Sequence, residues 1–210
     1  MKKNSLWLGW LGFFAAGFLA GIAFSAWKLD SGVRAVQGSP AVNEQRNQQV
    51  ELRAKIADLQ KMLTAKPKDI VNLVLLGNCY FDAGDYSKAV GTYKKALQID
   101  PRNADVMIDM GISYRKLGKP EESVKAFRQA LAVNPEHPMA LFNLGIVLRD
   151  DLKDDAGALK TWELFLKEAG NSPHAVMVRP WVKQLKEKLG SGRPGEKNAS
   201  PEALPGKNTE

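Results

Sequence analysis

The 210-residue chain has a single cysteine, Cys79, and only two histidines, His137 and His174. One thiol excludes an internal disulfide, and without a Cys-x-x-Cys-His run the chain does not itself carry c-type haem. Cys79 reads instead as a small apolar core residue. His137, within Asn134-Pro135-Glu136-His137-Pro138, and His174 have no cysteine, histidine or carboxylate at ligand spacing. There is no phosphate-binding glycine loop and no serine elbow. Asp150, Asp151, Asp154 and Asp155 lack the alternating ligands, central glycine and terminal glutamate of a calcium loop, and read as a solvated turn. No convergent catalytic set emerges, so neither enzymatic activity nor a cofactor nor a metal is expected.

Charge is also missing, from Asn4 to Trp27. Leu6 to Trp27 is 22 predominantly apolar residues, about 33 Å as a helix against roughly 30 Å of hydrocarbon. Trp7, Trp10 and Trp27 lie near the ends, where amphipathic rings favour the membrane interface. Residues 6–27 therefore read as a single transmembrane helix. The competing reading is a cleavable signal peptide, with Lys2-Lys3 before it and Ala23-Phe24-Ser25 as the small-x-small site, giving a secreted protein. The apolar core is longer than the usual stretch of about 7 to 15 residues. Positive flanks favour a cytoplasmic N-terminus and place everything after residue 28 outside, a periplasmic domain on a bacterial inner membrane. Gly17-x3-Gly21 and Gly12-x3-Ala16-x3-Ala20 could pair two such helices into a homodimer, although an ordinary glycine-rich anchor explains them as well.

The net charge of +7 resembles a nucleic-acid signal until it is placed. Residues 67–190 hold 18 basic and 16 acidic side chains and the tail three of each, so the other +5 lies in residues 1–66. A basic segment beside a membrane anchor fits topology and anionic lipid, and no nucleic-acid partner is expected.

Residues 28–43, with Gly32, Gly38 and Pro40, read as a linker. Residues 44–66 turn helical, with Leu52, Ile56, Leu59 and Leu63 at spacings of 4, 3 and 4. They read as a half-repeat with Leu59 and Met62 at packing positions, or as a coiled coil too short to stand alone. At the other end, Ser172-Pro173 starts a capping helix over 173–189, with Val178, Trp181, Val182, Leu185 and Leu189 on one face. Pro180 is expected to kink that helix or delay its start. Residues 190–210, rich in glycine and proline and free of aromatics, read as a disordered tail.

Between these segments the sequence repeats itself. Gly77, Gly111 and Gly145 are spaced by 34 residues, as are Pro67, Pro101 and Pro135. Leu73, Leu76, Gly77, Tyr80, Ala89, Tyr93, Ala96 and Pro101 recur as Met107, Met110, Gly111, Tyr114, Ser123, Phe127, Ala130 and Pro135. Within a unit these residues define the faces of two helices, which meet where glycine and alanine permit close approach. The third unit holds Leu141, Leu144, Gly145 and Leu148, but its turn is one residue long, which moves Ala158, Trp162 and bulky Phe165 into the second-helix positions. A large residue there implies a different neighbour.

The pattern of leucine-glycine, tyrosine, alanine, aromatic and proline at this period resembles the tetratricopeptide repeat (TPR) family. The resemblance implies an all-α solenoid of helical hairpins, with repeats at 70–103, 104–137 and 138–172, the last degenerate. It also implies a non-enzymatic module whose first helices line a concave groove for a peptide segment of a partner protein. Transferred by position, that groove is Val74, Asn78 and Phe81, then Ile108, Ile112 and Arg115, then Phe142, Asn143, Ile146 and Arg149, apolar with an arginine edge. Of the residues with which some TPR domains clamp a carboxylate, only Asn78 matches, while Val74, Asp109, Met139 and Asn143 occupy other clamp positions. The order of anchor, linker, helix and repeats also resembles TPR factors of bacterial cytochrome c maturation, which hold apocytochromes for haem attachment. A self-associating scaffold of the cell envelope is the remaining reading.

Overall fold

The computed structural model describes residues 40–191, and the chain divides into two units, residues 1–55 and 56–210. The expected transmembrane segment 6–27, the linker up to residue 39 and the tail from residue 192 lie outside the described residues. Among the described residues the regular elements are all helical, and no helix is long and apolar enough to cross a membrane.

Helix α1 spans Pro40–Ala65. It begins within the segment expected to be linker, because proline suits the first helical turn and Glu44, Gln45 and Arg46 are good helix formers. In the second unit, Leu59 is buried, and Gln60 Nε2 donates to Tyr80 Oη at 2.7 Å. Met62, expected to pack, is 52% exposed. Among the described residues no first helix precedes α1 to cover it.

Three hairpins follow: α2 (Ile70–Asp82) with α3 (Tyr86–Ile99), α4 (Ala104–Lys116) with α5 (Pro120–Val133), and α6 (Pro138–Ile146) with α7 (Asp155–Ala169). Their starts are written locally. Asp69, Asp85, Asn103 and Asp154 accept hydrogen bonds from the backbone N–H groups of Asn72, Lys88, Val106 and Gly157, and Pro120 and Pro138 open the other two helices.

Inside each hairpin an aromatic ring lies on a glycine. A Cβ on Gly77 would sit 2.7 Å from Tyr93 Cδ1, one on Gly111 2.7 Å from Phe127 Cε1, and one on Gly145 2.5 Å from Trp162 Cδ1. All three rings are essentially fully buried. Ser123 Oγ donates to Gly111 O at 2.7 Å, and Trp162 Nε1 to Phe142 O at 3.1 Å, so the polar atoms at these crossings are satisfied.

The third hairpin absorbs its extra residue at the end of its first helix. Val147–Asp151 forms a π-helical turn, and Leu152 N donates to Val147 O at 3.0 Å. The bond closing the hairpin turn runs from Asp85 N to Tyr80 O and from Lys119 N to Tyr114 O in the first two units, but from Asp154 N to Leu148 O in the third, one residue longer. Gly84 and Gly118 take φ of 76° and 68° in the first two turns, and Lys153 takes 58° in the third. Beyond the turn, Phe165 is buried while Leu164 is 45% exposed, so the chain register is shifted by that one residue. Helix α8 (Pro173–Ser191) supplies the neighbour Phe165 needs, with Ala175, Val178, Val182 and Leu185 buried in the same core. Pro180 lies inside α8 and does not delay its start. Ser172 Oγ accepts from Ala175 N at 3.3 Å in the first turn.

Alanine at Gly77 or Gly111 must displace a buried ring and is expected to lower stability by about 1–3 kcal/mol. Gly91→Ala, inside α3 with no atom within 4 Å of the added Cβ, is expected to raise it by roughly 0.5–1 kcal/mol. Denaturant unfolding of the three variants checks both signs. Lys153→Gly removes a side chain from left-handed backbone and is expected to stabilise by about 1 kcal/mol in the same assay; no gain would mean that the Lys153 Nζ bond to Asp150 O, at 2.7 Å, offsets the strain.

Candidate functional site

The first helices of the first two hairpins, together with the ring of Tyr93, line a half-open cavity of about 240 Å³. Asn78, Phe81 and Asp82 on α2, Tyr93 on α3, and Asp109 and Ile112 on α4 line it. The 34-residue period sets this arrangement, because it repeats the same α2 and α4 face one unit apart. Phe81 is held by an edge contact with Tyr86, ring centroids 5.3 Å apart. Tyr93 Oη donates to Asn78 Oδ1 at 2.7 Å, which leaves the Asn78 amide nitrogen as a donor to the cavity.

Electrostatics distinguish this cavity from an ordinary apolar dimple. Burial, with Asp105 nearby as a second cause, pushes the Asp109 carboxyl up to about 6. The Tyr93 phenol is raised by burial and then by Asp109 and Asp82, so it remains a neutral donor. The side chains of Asp82 and Asp109 have no hydrogen-bond or ion-pair partner among the described residues.

Of the groove residues expected from sequence, Asn78, Phe81 and Ile112 line the cavity. Val74, Asn143 and Ile146 are half-buried on the same succession of first helices, with Asn143 Nδ2 bonded to Met139 O at 2.8 Å. Ile108 and Phe142 are buried, 4% and 8% exposed, and belong to the core. The Phe142 ring packs on Phe165 and His174, 5.8 and 4.6 Å between centroids, because α8 covers that end of the array.

The expected arginine edge is internally neutralised. Arg115 Nε meets Asp151 Oδ2 at 2.5 Å and its Nη2 lies 3.7 Å from Asp150. Arg149 bonds Asp150 at 2.5 Å and stacks on Trp181 and Trp162, 4.2 and 4.8 Å from the ring centroids. Hydrogen bonding from Arg149 holds the Asp150 carboxyl below its usual range. The acidic turn is thus consumed by pairing and capping rather than left to solvent, since Asp154 caps α7 and Asp155 pairs with Lys188. His137, read as having no carboxylate at ligand spacing, places Nε2 3.0 Å from Asp105 Oδ1 across two hairpins. Among the described residues no group of three or more His, Cys, Asp or Glu could hold a metal ion.

Asp82, Tyr93 and Asp109 were not among the groove residues expected from sequence. Tyr93 was accounted for by packing, and the carboxylates are single letters in helices otherwise read for their apolar face. Two acidic residues 27 positions apart, at the end of one first helix and the middle of the next, are the signal that could have marked them.

An acid whose folded pKa is raised favours the folded state while protonated. Its contribution is present below pH about 4 and lost as pH rises through about 6. Asp109→Asn is therefore expected to be more stable than the parent by about 1–2 kcal/mol at pH 8, with the difference vanishing near pH 4. Paired chemical denaturation curves at the two pH values check this; a pH-independent difference would place the cause in packing.

A tetratricopeptide repeat family model matches residues 108–173 and a second TPR repeat model matches residues 77–118. No curated protein sequence matches the chain. Among solved structures, it is similar to MamA, at 21% identity and TM-score 0.61 over 71% of this chain and 85% of that one. It is also similar to the Sgt2 TPR domain from Aspergillus fumigatus, at 25% identity and TM-score 0.52 over 68% of this chain and 91% of that one. The first TPR of Spaghetti (RPAP3), bound to the HSP90 peptide SRMEEVD, matches at 25% identity and TM-score 0.52 over 58% of this chain and 95% of that one.

Proposed function

We propose that this tetratricopeptide repeat chain is a non-enzymatic protein-interaction module that holds a peptide segment of a partner protein along the first helices of its repeats. The observation that carries the reading is the cavity between α2 and α4, where Phe81 and Ile112 remain accessible beside a free amide donor and two unpartnered carboxylates. The RPAP3 likeness supports the reading, as that protein binds a peptide. SRMEEVD is acidic, however, and the cavity here is acidic too, so an acidic tail of that kind is not the ligand we propose.

In this reading residues 6–27 anchor the chain in a bacterial inner membrane and the repeats stand on the periplasmic side, close to where partner segments emerge or pass. Support for the anchor is the uncharged apolar run and its tryptophans.

The test is crosslinking in intact cells from photoreactive residues at Phe81 and Ile112 of the full-length chain, with Lys125 on α5 as control. Crosslinks from the first two positions, and not the third, to one defined segment of one partner are expected. Products that are Cys-x-x-Cys-His apoproteins would specify cytochrome maturation, and self-crosslinks would replace peptide binding by self-assembly. Equal labelling from all three positions would overturn the groove.

A further inference from the structure

We propose that the cavity between α2 and α4 takes the lysine or arginine side chain of the bound peptide, so that the partner is a segment carrying a basic residue at a fixed position. This specificity rests on the groove reading above and deepens it.

Among the described residues, the aspartates of the three hairpins and of the turns between them are otherwise occupied. Asp69, Asp85 and Asp154 cap helices, Asp100 bonds the turn after α3, Asp105 meets His137, Asp150 and Asp151 hold the two arginines, and Asp155 meets Lys188. Asp82 and Asp109 have no such use, and both line the cavity. Partial burial makes ionised Asp109 costly, and an entering cation would relieve that cost.

The remaining walls match the rest of a basic side chain. Phe81 and Ile112 offer apolar surface to an aliphatic stem, the way long cationic side chains lie along apolar surface with the charge at the end. The Phe81 ring adds a face for the cation, and the Asn78 amide can donate to a peptide carbonyl. An acidic side chain would meet two like charges, and an apolar one would leave Asp109 desolvated without a partner. A bare metal ion is disfavoured, since among the described residues no third ligand joins the pair.

The experiment is selection of a random linear peptide display library on the full-length chain in detergent, followed by binding titrations of the enriched peptides. Enriched sequences are expected to share one lysine or arginine. Replacing that arginine by citrulline, or that lysine by its acetylated form, should weaken binding about tenfold, and the Asp82→Asn/Asp109→Asn variant should weaken the parent peptide equally. Charge loss in the peptide should then cost the variant nothing further. Thermal melting reports that the variant remains folded. Peptides that bind through Ile112 but share no basic residue, or whose basic residue is indifferent to the double substitution, overturn the specificity while leaving the groove. If no library peptide binds in a manner sensitive to Ile112→Glu, the groove itself is refuted.

Discussion

Each hairpin closes because the ring of Tyr93, Phe127 or Trp162 occupies the volume that a Cβ on the facing glycine would fill. The helix axes can approach only as far as that contact allows, so the glycine and ring together set the separation of the two helices. Apolar burial then acts on an interface already fixed in geometry. The 34-residue recurrence of the pair carries the same separation from one hairpin to the next, and the first helices consequently present equivalent faces in succession.

The ends of the array show what happens when a neighbour changes. At the C-terminal end an inserted residue is taken up by a π turn and by left-handed Lys153, and Phe165 fills the wider gap against α8. The arginines there are drawn inward by Asp150, Asp151, Trp162 and Trp181. That end is closed, both sterically and in charge. Between α2 and α4 the same repeat geometry leaves a cavity instead, lined by an amide nitrogen and two carboxylates that the fold does not pair. The functional reading follows from this asymmetry: the first helix of the third hairpin is covered by α8, and those of the first two hairpins leave a cavity.

Much of the fold was legible because it is local and periodic. The three glycines, the aromatic sixteen or seventeen residues after each, and the shifted third unit all appear in the sequence as spacing. The site was legible only in part. Asn78, Phe81 and Ile112 could be placed by repeat position, but Ile108 and Phe142, placed in the same way, are buried while their equivalent Val74 is half-buried, since exposure at such a position depends on which residue the next hairpin brings against it. The pairing of Arg115 with Asp151 spans 36 residues and depends on where the π turn directs Asp151, which no spacing rule encodes. The start of α1 was missed because Pro40 breaks helices in the interior and opens them at the first turn, and the sequence around it fits both.

The central claim is that partner binding takes place on the first helices of the first two hairpins. Hydrogen exchange of the full-length chain, with and without a peptide selected on it, tests this most directly. The account predicts slowed exchange confined to Ile70–Asp82 and Ala104–Lys116, the helices that line the cavity. Protection centred on Pro173–Ser191, or on the second helices alone, would contradict it.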